Sequence, residues 1–125
     1  PETFDGYQKV KKGNLLMCLF DMDVTPRCIG IIENDGLTSP AYSQFVLYPE
    51  ADEKYFYYYY LNLDFTKELL HLARNLRHSL TESQLGDILV PLPPIQEQQL
   101  IADFLDDKVE KIDDILVDWF DKYEE

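Results

Sequence analysis

No run of about 18 uninterrupted apolar residues occurs in the chain, which excludes a membrane-spanning helix from its repertoire. Cysteine is scarce: Cys18 and Cys28 stand ten apart with no set of metal-ligand partners around them. That excludes a disulfide-framed secreted domain and leaves two reduced, buried thiols, the cysteine usage of a cytoplasmic protein. The opening residues, Pro1 to Tyr7, carry no basic-then-apolar signal pattern. Glycine numbers only five, none arranged as a phosphate-cradling loop. Basic residues are also few, 11 against 24 acidic ones, for a net charge of −13. Such a total speaks against an isolated nucleic-acid binder. Its distribution matters more. Residues 1–80 hold 8 basic and 11 acidic side chains, and residues 81–125 hold 3 and 13. The acid therefore crowds the last third, and the first two thirds are close enough to neutral to carry a local basic face.

Catalytic groupings are missing as well. Asp21 and Asp23 form a carboxylate pair, but no second acidic cluster or nucleophile elbow accompanies them, and a solvated loop is the better account. Ser39 has no histidine near it in sequence. His71 and His78 lie seven apart without a third ligand at suitable spacing. The expectation is a protein that is not an enzyme, holds no metal and needs no cofactor.

What is present is enough for one compact domain: 125 residues, 46% of them apolar. Tyr7 to Val10 reads as a strand, Lys11-Lys12-Gly13-Asn14 as a turn, and Leu15 to Phe20 as a short buried strand. Cys28 to Ile32 is a further strand, and Glu33 to Gly36 a tight turn with Gly36 at positive φ. Leu37 to Leu47 reads as one more extended piece, so the first 47 residues suggest a single small antiparallel sheet. A helix begins in Ala51–Lys54 and runs through the tyrosines 57–60 to Leu63. These tyrosines point in different directions, so core packing explains them better than base stacking. Apolar residues at 65, 69, 72 and 76 predict a second helix. Thr81-Glu82-Ser83-Gln84 has the form of a helix cap, and Ile88–Val90 that of a brief strand before Pro91.

The strongest periodicity follows Pro94. Ala102, Val109, Leu116 and Tyr123 form one line, and Leu105, Ile112 and Trp119 the other, spaced alternately three and four as in a coiled-coil seam. Ile101, Phe104, Ile115 and Phe120 flank it. A helix over 95–123 spans about 43 Å at about 1.5 Å per residue, too long for a body of this size to cover. Its early turns are expected to pack on the body through Ile101 and Phe104. The outer turns need a partner helix. The predicted fold is α+β: a small, mostly antiparallel sheet, packed helices and a long projecting C-terminal coiled-coil helix.

Three stretches carry a family resemblance. They are Gly6-Tyr7-Gln8-Lys9-Val10-Lys11-Lys12-Gly13-Asn14-Leu15-Leu16, then Gly36-Leu37-Thr38-Ser39-Pro40-Ala41-Tyr42, then Leu85-Gly86-Asp87-Ile88-Leu89-Val90-Pro91-Leu92-Pro93-Pro94-Ile95-Gln96-Glu97-Gln98 with Ile101–Asp106 and Lys111–Asp113. The third block is the distinctive one. In this order they resemble the specificity subunits of type I restriction–modification enzymes. The resemblance implies a target-recognition domain over 1–93, lacking the family's first tens of residues, and a spacer or dimerisation helix over 94–125. It implies a non-catalytic subunit that reads one half of a split double-stranded DNA sequence. Implied partners are methyltransferase and restriction subunits and, for so short a chain, a second copy through the C-terminal helix.

DNA readout needs cations for phosphates and amide, guanidinium or hydroxyl groups for base edges. Lys9, Lys11, Lys12 and Asn14 offer both at one turn; Arg74, Asn75, Arg77, His78 and Ser79 offer both at a helix end. Arg27 is a third candidate. The resemblance favours Arg27 and the 74–79 cluster. Leu105, Val109, Ile112, Leu116, Trp119 and Tyr123 are the expected partner interface. The rival readings are an acidic coiled-coil module that docks a protein without binding DNA, and an anti-restriction DNA mimic. The mimic sits poorly with acids crowded on one helix.

Overall fold

The computed structural model describes residues 6–22, 27–72 and 79–123, with the side chains of Leu72, Phe120, Lys122 and Tyr123 outside that description. Within it the fold is α+β. Five three-residue strands come first: β1 (Gln8–Val10), β2 (Leu15–Met17), β3 (Ile29–Ile31), β4 (Gly36–Thr38) and β5 (Ser43–Phe45). Helices α1 (Glu53–Phe65), α2 (Glu68–Leu72), α3 (Glu82–Gly86) and α4 (Ile95–Tyr123) follow.

The strands form two antiparallel sheets where one was expected, a β1–β4 ribbon and a three-stranded β3-β2-β5 sheet. The Lys-Lys-Gly-Asn turn is the cause. Gly13 sits at φ +93°, a conformation glycine adopts without strain. Beyond it the backbone bonds to the end of β3: the Gly13 N–H donates to the Ile32 carbonyl (2.9 Å) and the Ile32 N–H to the Asn14 carbonyl (2.9 Å). The chain therefore leaves β1 for a different partner. Gly36 does not hold a positive φ; its backbone is already in the ladder opposite Val10. Leu37–Leu47 is likewise not one extended piece. The proline at 40 has no N–H for a ladder, and a turn over 40–42 separates β4 from β5. The Gln8 amide holds that turn, donating to the carbonyls of Ser39 (2.9 Å) and Tyr42 (2.6 Å).

Alternation along β2 decides where the core lies. Leu15 and Met17 are buried on one face, and Leu16 points to the other. The buried face meets Leu19, Met22, Cys28, Ile29, Leu63, Leu69, Leu80 and Leu85 in one core. Helix α1 starts at Asp52, whose carboxylate accepts the Tyr55 N–H at 3.0 Å. Phe56, Tyr57, Tyr59 and Tyr60 pack against the core, as expected for the aromatic run. Near its end, buried Asp64 accepts the Cys28 N–H at 2.8 Å. Burial and the neighbouring Asp64 carboxylate push the Cys28 thiol up to about 12. The second helix starts later than its apolar spacing predicts: the chain breaks at Lys67, at φ 66°, and the helix runs from Glu68 to Leu72, while the rest of the expected span, 73–76, lies outside the described residues. Thr81 and Gln84 form a reciprocal capping box at α3.

The brief strand expected at Ile88–Val90 does not form. Tyrosine hydroxyls of α1 take the place of a neighbouring strand: Tyr55 donates to the Pro91 carbonyl (2.9 Å) and Tyr59 to the Leu89 carbonyl (3.4 Å). Helix α4 then begins directly after Pro94, whose carbonyl accepts the N–H groups of Glu97 and Gln98. No helix among the described residues is long and apolar enough to cross a membrane.

Candidate functional site

The lysine turn is built as a rigid projection. Gln44 on β5 is its brace: its side-chain oxygen accepts the Lys11 N–H (3.1 Å) and the Asn14 amide (3.0 Å), and its amide donates to the Lys9 carbonyl (2.9 Å). On the far side the Asp35 carboxylate accepts the Lys12 N–H at 2.8 Å. With its backbone held at three points by these side chains, the turn presents the side chains of Lys9, Lys11 and Lys12 to solvent. Asn14 differs from the lysines: it is half-buried and its amide is spent on Gln44.

Between the two sheets lies an open cleft of about 670 Å³. Leu16 and Leu37 give it an apolar floor, and Gly30, directly opposite Leu16 in register, leaves room above the strand. Phe20 and Tyr42 stack at its edge, ring centres 6.0 Å apart and planes 8° apart. Arg27 lines the same cleft and is exposed. The structure thus joins Arg27 to an aromatic and apolar recess that the sequence reading missed. Period-two alternation at Leu15-Leu16-Met17 was the available signal, since it puts Leu16 opposite the core.

Of the helix-end cluster, Arg74, Asn75, Arg77 and His78 lie outside the described residues, and Ser79 is half-buried. Among the described residues no group of three or more His, Cys, Asp or Glu could hold a metal ion.

Helix α4 carries the other candidate surface. Its first turns meet α1 through Gln98 (0% exposed), Ala102 (1%) and half-buried Leu105 and Asp106. Ile101 and Phe104, expected to make this contact, are exposed instead. At about 100° per residue they lie some 60° and 120° round the helix from the line of Gln98, Ala102 and Leu105. Asp106 accepts from Lys54 Nζ (2.7 Å) and from the Tyr58 hydroxyl (2.5 Å). Partial burial opposes ionisation of Asp106, but these two donors and the lysine charge outweigh it and hold the carboxyl below its usual value. Burial, then the Asp106 carboxylate, pushes the Tyr58 phenol up to about 12.

Beyond Asp106 the line that packs on the body becomes about half exposed. Val109, Ile112, Leu116 and Trp119 are 44%, 57%, 49% and 54% exposed, and the Tyr123 side chain lies outside the description. The free part, residues 107–123, measures about 25 Å at about 1.5 Å per residue. Acidic residues, Asp107, Glu110, Asp113, Asp114, Asp118 and Asp121, dominate its other faces.

Residues 29–116 match the family described as the type I restriction modification DNA specificity domain. The match runs from β3 into the free part of α4. No curated protein matches the chain.

Proposed function

Because the chain belongs to the type I restriction modification DNA specificity domain family, we propose that it reads one half of a bipartite double-stranded DNA site and that α4 is the spacer holding this reader against a second one. The family is a non-catalytic recognition module, so methylation and cleavage fall to other subunits. In this reading Lys11 and Lys12 bind phosphates from the braced turn, and Arg27 approaches base edges from the cleft rim. Asn14 supports the turn. Arg74, Asn75, Arg77, His78 and Ser79 remain proposed contacts on the strength of their side-chain chemistry.

The observation that carries the proposal is α4 itself. A 29-residue helix spends its first three turns on the body and leaves an apolar seam about half exposed over the rest. A stripe with Val109, Ile112 and Leu116 in line and about half exposed is an association surface. A second copy of the chain, related by a twofold axis, is the occupant proposed here. The acidic faces beside the seam repel a phosphate backbone and suit basic surfaces of the methyltransferase and restriction subunits. The division into a recognition body, 1–93, and a spacer, 94–125, follows from the same reading, as does a cytoplasmic setting beside the DNA.

Electrophoretic shift of duplexes with two half-sites at varied spacing, with and without the methyltransferase subunit, tests it. A sequence-selective shift with the subunit present is the expected result. Binding indifferent to sequence in both conditions refutes the reading.

A further inference from the structure

Among the described residues, Gln98 is the one fully buried polar side chain at the base of the projecting helix. Its amide donates to the carbonyls of Glu50 (2.8 Å) and Pro93 (2.8 Å), and its oxygen accepts the Asp52 N–H (2.8 Å). One side chain thus ties three backbone groups: the approach to α1, the cap residue of α1 and the proline stretch that feeds α4. A glutamine placed there is not filling space. An apolar residue of similar size packs equally well, but it orphans all three groups.

The second tie lies two turns along, where Lys54 and Tyr58 of α1 hold Asp106. That pair is half-exposed, at 51% and 36% for the lysine and aspartate side chains. Exposed ion pairs restrain weakly. The buried tie is therefore the one that sets direction.

We propose that Gln98 is a positioning residue that fixes the angle at which α4 leaves the body, and through that angle sets the half-site spacing a paired molecule accepts. The lever is long. Over the roughly 37 Å from Gln98 to the end of α4, a tilt of about 5° moves the far end by about 3.4 Å, the rise of one base pair. The spacing part of this claim rests on the proposed function; the angle part does not.

Nitroxides at Val46→Cys and Asp114→Cys, on the exposed end of the body and the outer face of α4, report the angle as a distance distribution. The background is Cys18→Ser; Cys28 is 1% exposed and its thiol is pushed up, so it stays unlabelled. Labelled protein is diluted with unlabelled protein so that only distances within one chain are read. With Gln98→Leu the distribution is expected to broaden about twofold, a loss of preorganisation at an unchanged helix content. Gln98→Glu is the milder variant, in case the leucine form does not fold. Its carboxylate faces two carbonyls at pH 8, giving a broad distribution; protonation toward pH 5 restores a donor and narrows it again. A role in stability alone does not produce that reversal.

The same variants are then tested on duplexes of varied half-site spacing. Relaxed spacing preference at unchanged affinity for a single half-site is expected. Wild-type distance widths in both variants overturn the proposal. So does a broadened distribution with spacing preference intact. Wild-type protein that binds no half-site sinks the proposed function instead, and the distances still judge the angle.

Discussion

At the scale of single residues, the candidate DNA face depends on a side chain that does not reach it. Gln44 satisfies three groups of the lysine turn, and Asn14 shares its oxygen with the Lys11 N–H. Gln44→Ala leaves these groups to water at a partly covered site and is expected to cost about 1–2 kcal/mol. Urea denaturation checks this, with the midpoint falling and the slope unchanged. The exposed lysines should behave differently. Lys12→Ala is expected to leave stability within about 0.5 kcal/mol of wild type. It should weaken DNA binding alike for all sequences and reduce the slope of log affinity against log salt by about 1. Affinity measured at several salt concentrations on matched and scrambled duplexes separates the two effects. Arg27, beside Phe20 and Tyr42 in the cleft, should instead lose sequence preference when shortened.

Among the elements, α1 is where the helices and sheet are joined, and its polar contacts make the joint sensitive to alkali. The Cys28 thiol rises from 9.0 to about 12, first through burial and then through Asp64. The Tyr58 phenol rises from 10.0 to about 12, first through burial and then through Asp106. Both groups are neutral when protonated, and the fold disfavours their charged forms. Their contributions are thus complete below the ordinary values of 9.0 and 10.0 and are lost as pH climbs toward about 12. Thermal melts from pH 8 to 12 should show stability falling across this range. Tyr58→Phe should flatten the upper part of the fall. Asp106 works in the opposite sense: its lowered carboxyl contributes above the ordinary carboxylate range and is lost in acid. That contribution is small, because the Lys54–Asp106 pair is half-exposed and screened by solvent. Helix α4 itself is amphipathic rather than apolar, and Val109, Ile112 and Leu116 of its outer half stand about half exposed. Leu116→Asp, in the middle of the half-exposed seam, is expected to leave the melting of the body unchanged and to convert the proposed dimer to a monomer. Light scattering across a concentration series reads that change.

For the molecule as a whole, charge and shape are divided between the two ends. Residues 1–93, with 8 basic and 13 acidic side chains, carry the exposed lysines and Arg27, while residues 94–125 hold 3 basic and 11 acidic ones. Long-range attraction to DNA is weak for such a total, and close contact must supply more of the affinity. The methyltransferase subunit is therefore expected to raise DNA affinity more than the second copy alone does. Titration of the labelled duplex by the protein alone and by the protein with the methyltransferase subunit compares them. Equal affinities would argue that the acidic spacer faces do not serve as docking surfaces.

Local order along the chain was enough to specify several features. The heptad line from Ala102 to Trp119 set the existence, length and half-exposed seam of α4, because a helix repeats every 3.6 residues whatever it packs on. The cap at Thr81, the start of α1 and the α+β class followed from equally local chemistry. Partnerships between distant segments were decided only in the folded molecule. Two sheets replace one because Gly13 turns the backbone toward β3, and the 88–90 segment is held by tyrosine hydroxyls instead of a ladder. The cleft beside Arg27 needs Leu16, Leu37, Phe20 and Tyr42 from separate strands and turns. Gln98 reads in sequence as one polar residue among several after Pro94, and it became the anchor of α4 once three unpaired backbone groups converged on it. A short-range pattern is written in neighbouring residues, whereas a buried polar group acquires its partners from wherever packing leaves donors and acceptors unmet.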